Sequence, residues 1–88
     1  MQVHQGFINA VLLKGKVISI GKHLEHKSHI YLRTGVNQEH YLEFDDQLLT
    51  GLSSQPKTGD SLHVDGHISS SGVVVIDLLH FIKPIRRS

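Results

Sequence analysis

Cysteine is absent from this chain of 88 residues. Disulfides, thiolate metal ligands and a cysteine nucleophile are therefore excluded together, and the composition fits a reducing compartment. Long apolar runs are missing too. The longest aliphatic stretch, Val73 to Ile76, is closed by Asp77, whereas a membrane span needs about 20 apolar residues. The opening "MQVHQGFIN" has no basic region leading into an apolar one, so no secretory signal is expected and a cytoplasmic location is the default. Charge of one sign is also lacking: nine basic against eight acidic side chains give a net charge of +1 with histidine neutral. A protein that grips a polyanion through bulk charge is excluded, and any such contact must come from local placement. The eight histidines make that charge pH-sensitive, because an imidazole ordinarily titrates near ~6.5.

Catalytic signatures are missing as well. There is no G-x-S-x-G, no Walker loop and no H-E-x-x-H. Asp45, Asp46, Asp60, Asp65 and Asp77 are spread among turns and strands. A domain of this size buries only roughly 60 to 65 % of its unfolded surface and has little room for a catalytic cleft. Neither an enzyme nor a cofactor is expected.

What is present is β-pattern. No stretch repeats apolar residues at helical spacing for three turns, while period-two alternation and β-branched clusters recur from Phe7 almost to the end. "FINAVLLKGKVISIG" reads as a long first strand, with Gly15 marking a bulge or sharp bend. After the polar "KHLEHKS", the segments "HIYLRTG" and "EHYLEF" form a hairpin around "GVNQ". Ile30 and Leu32 then point inward and His29, Tyr31 and Arg33 outward; Leu42 and Phe44 point inward and Tyr41 and Glu43 outward. "DDQLLTGLSSQPKTG" opens on an aspartate pair suited to a helix N-cap and spaces Leu48, Leu49 and Leu52 for a turn or two of helix. "DSLHVDGHI", a turn at "SSSG", and "VVVIDLLHFIKPI" make a second hairpin ended by Pro84.

Five strands with one short helix between the third and fourth is the order of the five-stranded Greek-key OB-fold, an all-β barrel that binds oligonucleotides on the face of strands 2 and 3. An SH3-like barrel and a simple meander are the rival topologies; the internal helix and the glycine of strand 1 favour the OB-fold. The chain reads as one domain over residues 1–88, with a core of about 7–83 and a basic tail, 84–88.

The stretch "HLEHKSH" places His23, His26 and His29 at every third position. That spacing suits metal ligation on a helix, not in the polar connecting loop expected here, and zinc sites in small domains mostly use cysteine. No metal site is expected. The stretch reads instead as a lysine-flanked lip whose imidazoles gain charge, and tighten phosphate contacts, below about pH 6.5.

Two segments carry a family resemblance. "INAVLLKGKV" resembles the first strand of bacterial single-stranded DNA-binding proteins and of primosomal replication protein N (PriB), and "KTGDSLHVDGHI" is similar to their fourth strand. The resemblance implies an OB-fold over roughly residues 7 to 83, and a role in DNA replication, repair or recombination. The chain has no tryptophan for base stacking and ends in the short basic "KPIRRS" in place of a long acidic tail. It therefore looks more like a small PriB-like accessory module than a protein that coats long single strands.

On this reading Tyr31 and Tyr41 form a base-stacking platform. Arg33, Lys14, Lys16, Lys22 and Lys27 are the candidate phosphate contacts, with His29 entering the same face. The expected partner is single-stranded DNA, with RNA as the alternative ligand. A second expectation is an OB-fold protein-interaction subunit or homodimeric accessory factor. It rests on the surplus aliphatics of the fifth strand, where Val74 and Ile76 or their neighbours would face outward.

Overall fold

The computed structural model describes residues 9–52 and 54–82. Phe7, Lys83, Pro84, Arg86 and Arg87, and with them the basic tail, lie outside the described residues. Alternating side chains build five strands in the expected order: β1 (Val11–Leu24), β2 (Lys27–Gly35), β3 (Gln38–Asp45), β4 (Ser61–Ile68) and β5 (Val74–Phe81). One 3-10 helix, Asp46–Gly51, sits between β3 and β4. The strands close into a barrel in the order β1-β2-β3-β5-β4. All neighbours are antiparallel except β3 and β5, which meet in parallel through Leu42↔Val74 and Glu43↔Val75. This is the five-stranded barrel of the OB-fold.

Closure depends on β1 serving two neighbours. Val11 to Lys16 pair with β4, Lys16 to Leu24 pair with β2, and Lys16 has a partner on both sides. A strand can change partners so sharply only where two backbones come close. A Cβ at Gly15 would overlap the carbonyl of Arg33, so glycine is required there. The bulge itself falls later, at Ile18, between the pairs Val17↔Leu32 and Ser19↔Tyr31. There the amide and carbonyl of Val17 bond to Asp60 and Gly59 at 2.8 and 2.9 Å.

Inside lie Val17, Ile30, Leu32, Leu42, Phe44, Leu62, Val64, Ile76 and Leu79, all buried. Removing this apolar surface from water is the main favourable term for a chain without disulfides. Asp45 caps the 3-10 helix by accepting from the Gln47 amide at 2.9 Å, and Leu48, Leu49 and Leu52 pack on the core as their spacing predicts.

Two expectations are corrected. The polar "KHLEHKS" is not a loop: β1 runs to Leu24 and β2 restarts at Lys27, leaving only Glu25 and His26 to turn the chain. Cross-strand bonding satisfies the backbone of a polar strand as well as an apolar one, and Ser28, buried beside the turn, anchors this hairpin. In β5, Val74 packs against the core and Ile76 is buried. The register slips from Gly66↔Ile76 to Asp65↔Leu78, so the bulge at Asp77 leaves Asp77 and Leu78 both exposed. The outward aliphatic of this strand is therefore Leu78.

Candidate nucleic-acid interface

On the outer face of β1, β2 and β3 the register aligns three cross-strand rows: Lys16, Arg33 and Glu39; Ser19, Tyr31 and Tyr41; Gly21, His29 and Glu43. The middle of this surface is aromatic. The ring centroids of Tyr31 and Tyr41 are 5.3 Å apart, and His29 lies 5.9 Å from Tyr31 and 5.5 Å from Tyr41. These separations suit tilted and edge-on ring contacts. Gly21 leaves room for the third ring: a Cβ there would come within 3.2 Å of the imidazole. The Nδ1 of His29 is buried with no hydrogen-bond partner among the described residues.

Charge is arranged around the rings. Arg33 donates to Glu39 at 2.8 Å. Lys16 and Arg33 also line an open cleft of about 570 Å³ with Thr34, Gly35, Val36 and Asn37, at the turn where Asn37 adopts a φ of 59°. At the opposite end Tyr41 donates its hydroxyl to Glu43 at 2.7 Å, and His23 Nε2 lies 3.5 Å from the same carboxylate oxygen. The bond to Glu43, partial burial and the Glu43 charge push the Tyr41 phenol up to about 12.

The structure thus gathers Tyr31, Tyr41, His29, Arg33 and Lys16 on one surface. Lys14 stands one row away, exposed and in register with His63 of β4. Lys27 is exposed at the far end of the tyrosine face, opposite Asp45. Lys22 belongs elsewhere. It pairs with the buried Ser28, and its ammonium is committed to the Asp46 carboxylate and, at 3.1 Å, to the Glu25 carbonyl. Ser28 Oγ donates to the other oxygen of Asp46 at 2.6 Å. These hydrogen bonds, Lys22 first and Ser28 second, hold the Asp46 carboxyl below the usual range. Lys22 thus ties the end of the β1–β2 hairpin to the 3-10 helix.

The sequence missed Gly21, Glu39 and Glu43 as members of the site. Glu43 could have been found, since its parity already places it beside Tyr41; the clearance at Gly21 depends on the β1–β2 register. The histidines of "HLEHKSH" disperse: His29 joins the rings, His23 faces Glu43, and His26 lies 3.8 Å from Glu25. No group of three or more potential metal ligands occurs among the described residues, and no described helix is long and apolar enough to cross a membrane. No family model matches the chain, and no curated protein matches it.

Proposed function

We propose that this protein is a non-catalytic module that binds single-stranded nucleic acid, DNA in the first place, through the β1–β2–β3 face in replication, repair or recombination. The observation that carries the reading is the contiguous His29–Tyr31–Tyr41 surface with Lys16 and Arg33 at one end. Every base has a π-face, so an aromatic surface holds unpaired bases without regard to sequence, at about 1 to 3 kcal/mol per stacked base. Lys16 and Arg33, with Lys14 and Lys27 at the margins, supply phosphate contacts. The resemblance to single-stranded DNA-binding proteins and PriB supports the same reading. In a salt titration, oligo-dT affinity should fall with log salt at a slope near ~0.7 per phosphate neutralised. Tyr31→Ala should weaken binding by about 1 kcal/mol or more. Absence of binding at low salt, or salt-independent affinity, would sink the reading.

A second reading, a protein-interaction or self-association surface, is favoured by one observation on the opposite side. Leu12 and Leu78, 68 % and 53 % exposed, flank Asp65 in register across β4.

A further inference from the structure

The platform carries a group that phosphate binding does not require. Glu43 is in register with His29 and shares its face with Tyr41, two residues away. Its side chain is only 18 % exposed. A carboxylate beside bound phosphates repels them, and the other acid of the face, Glu39, is already committed to Arg33. Glu43 is held by different means. Among the described residues only Tyr41 donates a hydrogen bond to it, at Oε2, with His23 flanking that same oxygen at 3.5 Å. Oε2 is thereby held, and Oε1 has no hydrogen-bond donor among the described residues. An ionised carboxylate can only accept hydrogen bonds, and positioning by a supporting neighbour is what makes a recognition group selective.

Glu43 lies beside both rings, in register with His29 and bonded to the Tyr41 hydroxyl, so a base stacked on them would have this carboxylate at its edge. Cytosine presents an amino group that can donate, whereas uracil and thymine present a carbonyl oxygen at the same place, an acceptor facing an acceptor. We propose that Glu43 selects the stacked base, favouring amino-bearing cytosine over uracil or thymine through Oε1. The inference rests on the platform reading above and adds a preference that stacking alone does not give.

The test compares short oligo-dC and oligo-dU, which differ in the group presented to Glu43 and not in backbone charge. Anisotropy titrations of the full chain are run at mildly alkaline pH and fixed salt. The wild-type protein should bind oligo-dC about tenfold tighter, the scale of one hydrogen bond to a charged group. Glu43→Gln can both accept and donate, so the dC to dU ratio should collapse toward one even if both affinities rise from the lost negative charge. Glu39→Gln removes the same charge from the same face and should keep the ratio. Should either variant melt early, the wild-type ratio, and competition by oligo-dT against oligo-dC, still decide. Equal dC and dU affinities in a protein whose binding depends on Tyr31 would overturn the role of Glu43 and leave the platform standing. Failure to bind any oligonucleotide would overturn the platform, and Glu43 selection with it.

Discussion

At the scale of single residues the site is a set of three rings, of which Tyr41 alone has its polar atom hydrogen-bonded among the described residues, and that Tyr41–Glu43 bond is the part most open to measurement. Strand parity alone put Tyr31, Tyr41 and Arg33 outside and Ile30, Leu32, Leu42 and Phe44 inside, and each lies on the expected side. Parity cannot tell which hydroxyl bonds which carboxylate, because that depends on rotamers. The phenol of Tyr41, pushed up to about 12 by Glu43, is raised above its ordinary ~10. Folding thus favours its protonated form, and the contribution to stability is complete below pH ~10 and lost as pH rises toward 12. Tyr31→Phe leaves Tyr41 as the lone tyrosine of the chain, and its ultraviolet absorbance should then titrate well above pH ~10. Adding Glu43→Gln should return the midpoint toward that ordinary value. A midpoint already ordinary with Glu43 in place would mean the bond is not formed in solution.

Among the elements, the β1–β2 hairpin departs most from its sequence pattern. "HLEHKSH" is polar enough to read as a loop, and its strand character comes from what it docks against. Asp46 receives Lys22 and Ser28 on its two oxygens, and its amide bonds the His26 carbonyl at 2.9 Å. The 3-10 helix and the hairpin therefore hold each other. Ser28→Ala leaves the buried end of this network short of a donor and should cost about 1 kcal/mol, roughly 4 to 8 °C in Tm for a domain of this size. Asp46→Asn should lower Tm at neutral pH and also flatten the acid side of the stability curve. The carboxyl is held below its ordinary value, so its stabilising effect is present above about pH 4 and lost as pH falls below it. Circular dichroism melts across that range, wild type against Asp46→Asn, check both points; coincident curves would show that the staple contributes nothing.

The whole molecule carries two faces that meet along β1 of one small barrel. One is the ring platform of β1, β2 and β3; the other, on β1, β4 and β5, gathers Lys14, His63 and His80 in one row and Leu12, Asp65 and Leu78 in the next. These histidines show no common spacing in the sequence, and the register of the β4–β5 hairpin brings the His63 and His80 rings to 6.3 Å. If the leucines mediate self-association, light scattering should show a mass that rises with concentration, and Leu78→Ser should leave a monomer with unchanged oligo-dT affinity. A concentration-independent monomer in the wild type would remove that second reading.

The sequence by itself determined the element order, the in-and-out pattern of β2 and β3, the Asp45 cap and the need for glycine in β1. The first three follow from local sterics or from a period-two pattern that needs no distant partner; the glycine was legible as a break in the strand, and its reason, the Arg33 carbonyl beside it, was not. Tertiary structure decided the rest. The parallel β3–β5 seam closes the barrel. The bulge at Asp77 decided which aliphatics of β5 face out, burying Ile76 and exposing Leu78, and docking turned a polar stretch into strand. The β1–β2 register set His29 over Gly21 and against the two tyrosines. These features depend on register between strands, and a register is fixed only when the whole core closes and one residue of slip would bury the wrong face.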